Sequence, residues 1–125
     1  LWDLRRTRDV EIPEGVERVG EGWFASSDIW SVKIPKSVTV LERRAFSDCD
    51  LLRRVEVARG SKLERIGEDC FRNSAVECAI LPDTLKEVGK GAFDGCSNLR
   101  TVQTPDGREV EIIKRTGAFA KADEI

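Results

Sequence analysis

The sequence predicts an α/β solenoid, a stack of short coils that each carry one strand and one brief helical stretch. Three observations lead there. An Ile-Pro or Leu-Pro step recurs at Ile12-Pro13, Ile34-Pro35 and Leu81-Pro82. A phenylalanine follows each of these prolines at one constant interval, at Phe24, Phe46 and Phe93. A fourth copy has Val57-Ala58 in place of the proline step and reaches Phe71, so the phenylalanines are spaced 22, 25 and 22 residues apart. Self-similarity at a period in this range is the mark of stacked repeats, in which no single unit buries its apolar face alone.

Residues 1–9 precede the first complete repeat. Trp2 and Leu4 are apolar there, which reads as a cap or a partial coil. Residues 10–103 hold four repeats. A branched or small residue stands at Val10, Val32, Val55, Ala79 and Val102, and two positions on come Ile12, Ile34, Val57, Leu81 and Thr104. That alternation, with its β-branched bias, predicts a short strand with one buried face. The prolines remove a ladder donor and end three of the strands. Three residues ahead of the first column lie Thr7, Ile29, Leu52, Val76 and Leu99.

Beyond the proline step the apolar spacing changes to three and then five: Val16, Val19, Phe24; Val38, Leu41, Phe46; Leu63, Ile66, Phe71; Leu85, Val88, Phe93. This predicts a turn followed by one or two helical turns on the outer side of the coil. Gly20, Gly67 and Gly89 share one slot, which implies either a positive φ or a close approach, although Glu42 fills it in the second copy. The phenylalanines are the core plugs. The linkers back to the next strand are rich in Ser, Asp, Asn and Gly, as turns require, and the extra residues 59–62 form a surface loop. Residues 104–119, with the turn signal Pro105-Asp106-Gly107 and an echo of the repeat at Phe119, read as an atypical terminal coil or hairpin cap. Residues 120–125 are a tail. Lacking Met and starting at Leu1, the chain reads as a processed protein, an excised domain or a fragment.

Composition narrows the function. With 21 Lys and Arg against 23 Asp and Glu, the net charge of -2 argues against a general nucleic-acid binder. No apolar run is long enough for a membrane span, so direct membrane insertion is not expected. Histidine and tyrosine are absent, which removes the commonest general base and the commonest neutral metal ligand. No phosphate loop, metal cluster or nucleophile–base pair can be assembled, so neither enzyme activity nor a cofactor is expected. Cys49 and Cys96 occupy the same slot two coils apart, about 10 Å, too far for a disulfide. The four cysteines read as small buried thiols.

The pattern Leu-x-x-Val-x-Ile-Pro followed by Val-x-x-Val-Gly-x-x-Ala-Phe-x-x-Cys resembles the BspA-like leucine-rich repeat, over roughly Val10 to Val102. The resemblance implies a right-handed superhelix of about five coils, with a short parallel sheet on the concave face and short helical or 3-10 segments on the convex face. It also implies a scaffold that binds proteins, in families often found at surfaces or secreted. The compartment stays undetermined.

In such a stack the outward strand positions make a binding surface. Trp30 would lie between Arg8 and Arg53, with Lys33 and Arg54 close by. A tryptophan among arginines has the composition of an interface hot spot, although the arginines could equally stack on the indole as a local cation–π pair. Trp23 fills a slot that is small in the other copies and must bulge or turn outward; Ile80 is predicted exposed. Two functions follow. One is a protein-interaction module that uses the concave face. The other is a structural subunit or embedded domain of a larger assembly, held through its ends and through Trp23.

Overall fold

In a computed structural model of the chain, residues 8–108 are described. Among them run nine short strands: β1 (Asp9–Glu11), β2 (Arg18–Val19), β3 (Ser31–Ile34), β4 (Val40–Leu41), β5 (Arg54–Val57), β6 (Arg65–Ile66), β7 (Cys78–Ile80), β8 (Glu87–Val88) and β9 (Thr101–Gln103). They form two all-parallel sheets, one in the order β1-β3-β5-β7-β9 and one in the order β2-β4-β6-β8. The chain thus winds through about four turns of a solenoid, with every strand paired to its equivalent one coil away. The residues of the expected N-terminal cap before Arg8, and those of the C-terminal coil after Arg108, lie outside the described region.

Register follows from the buried column. Val10 pairs with Val32, Val32 with Val55, Val55 with Ala79, and Ala79 with Val102. A slip of one residue would turn these side chains to solvent. Each is at most 6% exposed. Ala58 shows what the prolines give up: its amide donates to the Ile34 carbonyl at 3.0 Å, a bond that Pro13, Pro35 and Pro82 cannot make.

No helix forms among the described residues, and the segments expected to be helical are built otherwise. Val19, Leu41, Ile66 and Val88 sit in the two-residue strands of the second sheet. The stretch around each phenylalanine is a run of tight turns. Two residues before and two residues after each of Phe24, Phe46, Phe71 and Phe93, φ is positive: Gly22 and Ser26, Arg44 and Asp48, Asp69 and Asn73, Gly91 and Gly95. A helix cannot change the sign of φ within a turn, whereas a type II turn demands it at its third residue. Amides alternate in use. Trp23, Ala25 and Ser27 donate three residues back, while Gly22, Phe24 and Ser26 donate to Arg43, Ala45 and Ser47 of the next coil. This third wall is therefore a hydrogen-bonded stack as well.

The four described phenylalanines, Phe24, Phe46, Phe71 and Phe93, lie one above another inside. Successive ring centroids are 5.2, 5.3 and 5.3 Å apart, with interplanar angles of 2°, 7° and 12°. Beside them runs a second column, three residues further on: Ser27, Cys49, Ser74 and Cys96. Cys49 Sγ donates to the Phe24 carbonyl at 3.0 Å, Ser74 Oγ to Phe46 at 2.8 Å, and Cys96 Sγ to Phe71 at 2.9 Å. The slot wants a small donor, thiol or hydroxyl. Among the described residues the Phe46 carbonyl accepts no other hydrogen bond. Ser74→Ala should therefore cost about 1–3 kcal/mol, the penalty of an unsatisfied buried acceptor. Ser74→Cys should restore most of it in urea titrations, because the slot already houses cysteine in two coils.

The shared glycine slot is a close approach and not a positive φ. A Cβ on Gly67 would stand 2.6 Å from the Arg43 amide nitrogen, and one on Gly89 2.5 Å from that of Glu68. In the first coil the space over Gly20 is taken by the Trp23 indole.

Candidate functional site

The outer face of the five-stranded sheet presents two rows, Asp9–Ser31–Arg54–Cys78–Thr101 and Glu11–Lys33–Glu56–Ile80–Gln103. A third row stands at the corner where each coil enters its strand. There the Trp30 amide donates to the Arg8 carbonyl at 2.6 Å, Arg53 to Trp30 at 2.8 Å, Glu77 to Arg53 at 2.8 Å and Arg100 to Glu77 at 2.9 Å. The next amide shares the same acceptor, as when Ser31 also donates to Arg8 at 3.2 Å. Two successive residues then point outward between the buried Ile29 and Val32, because the chain bends at Trp30 before the strand alternation begins at Ser31. That is why Trp30 escapes the alternation and stands 52% exposed.

At this corner Arg8, Trp30, Leu51 and Arg53 line a shallow depression of about 430 Å³. The Arg8 guanidinium carbon lies 5.4 Å from the indole centroid. Leu51 is 38% exposed and supplies the second apolar wall. Sequence reasoning missed it. Its slot holds Asp28, Ala75 and Asn98 in the other coils, so a leucine there was the available signal.

Lys33 and Arg54 do not line the depression. They lie on the flat sheet face, where Arg54 Nε meets Glu56 Oε1 at 3.3 Å and Lys33 sits in register between Glu11 and Glu56. Ile80 departs from the expected exposure. It faces outward, yet only 9% of it is accessible, because Glu56 and Gln103 flank it across the sheet and their longer side chains shade it. Trp23 does turn outward and is 51% exposed.

A wider groove of about 790 Å³ crosses the turn wall, lined by charged and polar side chains including Arg44, Asp48, Arg72 and Asn73. Its polar groups have partners: Arg44 and Arg72 meet Asp69, outside the lining, at 3.9 Å and 3.6 Å, and Asn73 donates to Asp48 at 3.1 Å. Exposed pairs of this kind add little stability and offer no apolar anchor.

Cys49, Cys70 and Cys96 are buried and set against nucleophilic chemistry, whereas Cys78 is only half-buried on the outer sheet row and not in the core as expected. All four thiols are free. Burial pushes the thiols of Cys49 and Cys70 up, and that of Cys96 up to about 11. A thiol whose folded pKa is raised keeps its proton in the native state after the unfolded chain has lost it. The native state then binds more protons above the ordinary value of about 9, so stability falls as pH rises from about 9 towards 11. Chemical denaturation across that window should show the decline, and Cys70→Ala with Cys96→Ser should flatten it. Among the described residues no group of His, Cys, Asp and Glu is placed to hold a metal ion.

Comparison with known proteins adds the following. The BspA type leucine-rich repeat region matches residues 3–124, in six copies. No curated protein matches. The fold is similar to that of the pneumococcal vaccine antigen PcpA, with a TM-score of 0.74 and 21% identity over 82% of this chain and 29% of that one. It is also similar to a leucine-rich repeat protein from Bacteroides capillosus, with a TM-score of 0.68 and 26% identity over 78% of this chain and 77% of that one. A leucine-rich repeat protein from Bacteroides ovatus gives a TM-score of 0.68 and 28% identity, over 81% of this chain and 26% of that one. The chain thus spans under a third of the pneumococcal and Bacteroides ovatus proteins and about three quarters of the Bacteroides capillosus one.

Proposed function

Because the chain belongs to the BspA-type leucine-rich repeat family, a family of non-enzymatic repeat scaffolds, we propose that it is a protein-interaction module. Leucine-rich repeat proteins generally act in protein–protein contacts. Here the docking surface is the corner and outer face of the five-stranded sheet, with Trp30, Leu51, Arg8 and Arg53 at its centre and Lys33 and Arg54 on its flank. One observation carries this reading: two large apolar side chains, Trp30 and Leu51, stand exposed side by side around a depression in an otherwise charged surface. Hot spots combine a rigid aromatic with arginine in this way.

Trp30→Ala tests it. The variant should keep its far-UV circular dichroism and its urea midpoint, since the indole is half exposed and outside the core. It should lose at least about 30-fold in affinity for the partner, the effect of removing a hot spot of about 2 kcal/mol or more. An unchanged affinity for an isolated partner, measured by surface plasmon resonance, removes the surface from consideration. A second reading, a subunit of a larger assembly held through its ends and convex wall, draws on the half-exposed Trp23. A monomer that stays soluble and stable at micromolar dilution in sedimentation counts against it.

A further inference from the structure

We propose that the occupant of the Trp30 depression is an acidic peptide segment, extended along the stack of coils, with one apolar side chain between two carboxylates; this rests on the docking surface argued above. The corner row reads Arg8, Trp30, Arg53 in three successive coils. Neither arginine forms an ion pair among the described residues, as is also true of Arg43 and Arg100 and unlike Arg18, Arg44, Arg54, Arg59, Arg65, Arg72 and Arg108. The Arg8 guanidinium carbon lies over the Trp30 ring. The guanidinium N–H donors project from the edges of its plane and stay available to a carboxylate.

Coils repeat at about 4.8 Å, so Arg8 and Arg53 stand about 10 Å apart with the apolar depression between them. An extended chain advances about 3.3 Å per residue and turns every second side chain to the same side, so an apolar residue with a carboxylate two positions before it and another two positions after it presents all three to this face, the carboxylates about 13 Å apart and within reach of the two long arginine side chains. The apolar residue between them meets Trp30 and Leu51. A nucleic acid fits less well. Asp9, Glu11 and Glu56 outnumber Lys33 and Arg54 on the adjoining sheet face, and the net charge of the chain is -2. A continuous phosphate backbone would be repelled there, while two isolated carboxylates need only the two arginines.

The test is a random 12-residue peptide library displayed on phage, selected on the whole protein and counter-selected on Trp30→Ala. Recovered peptides are then measured by fluorescence anisotropy. The expected pool is Trp30-dependent, has Asp or Glu two positions before and two positions after a Phe, Trp or Leu, and loses at least tenfold in affinity with Arg53→Glu or with 0.5 M salt. A Trp30-dependent pool that is neutral or basic overturns the acidic partner and leaves the docking surface standing. A pool with no Trp30 dependence overturns both. A labelled single-stranded oligothymidylate that binds as tightly as the best peptide also overturns the proposal.

Discussion

Phe71→Ala should lower the unfolding free energy by about 3–5 kcal/mol, a loss matched among the described phenylalanines by that of Phe46, which is equally buried and also stacked on both faces. Phe71 is fully buried and stacked on both faces, 5.3 Å from Phe46 and 5.3 Å from Phe93. Its carbonyl also anchors the Cys96 thiol. Removing the ring leaves a void that the wall cannot collapse into, because alternate amides on both sides are tied to the neighbouring coils. Phe71 and Asn73 donate onward to Ala92 and Asp94, while Cys70 and Arg72 accept from Phe46 and Asp48. Coils in a solenoid stabilise only their neighbours, so a break at the third coil uncouples the two halves. With total stabilities of about 5–15 kcal/mol for a domain, the variant should be partly unfolded without denaturant or broaden its urea transition. Phe93→Ala should cost less, since that ring is stacked on one described neighbour and is slightly exposed. Urea titrations followed by circular dichroism check this. A Phe71→Ala loss of only about 1 kcal/mol, no more than an average point substitution, would mean that the aromatic column is not what holds the coils together.

The second large effect comes from adding a single carbon. Gly89→Ala puts a methyl 2.5 Å from the Glu68 amide nitrogen and 2.6 Å from the Gly67 carbonyl carbon. Both are backbone atoms, so no side chain can rotate away. Backing off would stretch the bond from the Gly89 amide to the Ile66 carbonyl, now 2.7 Å, and open the second sheet. Overpacking of this kind costs about 1–3 kcal/mol, and more where the neighbour is rigid. The same slot in the second coil already carries Glu42, whose carboxylate turns out to Arg18 at 3.0 Å. Glu42→Ala should therefore change stability by less than about 1 kcal/mol, the worth of an exposed ion pair. If thermal melts showed the two alanine variants to be equally mild, close packing between coils could not be the reason for glycine at this slot.

The readable part of the fold was the part written in apolar spacing. Val10, Val32, Val55, Ala79 and Val102 share a face because a strand repeats every two residues, and the phenylalanines stack because the repeat length is nearly constant. Those regularities survive in the chain as letters. The turn wall did not come through. Gly91 and Gly95 hint at positive φ, but Arg44, Asp48, Asp69 and Asn73 adopt it with ordinary side chains. The apolar spacing of three and five was therefore read as helix. The candidate site divides in the same way. Trp30 between Arg8 and Arg53 was legible from the register. Leu51 was not, because its partner across the depression comes from another coil. The shading of Ile80 likewise depends on Glu56 and Gln103, which belong to the coils on either side of it.

The sequence by itself determined the period, the identity of the buried columns and hence the stacking of coils, since burial of apolar faces at a fixed spacing admits one arrangement. Only the tertiary structure decided the second sheet, the run of left-handed turns, the close approach at Gly67 and Gly89, and which surface residues meet. Those depend on hydrogen bonds and contacts between groups a full coil apart in the chain. Local propensity cannot encode a backbone conformation that is favourable only when an identical one lies above or below it.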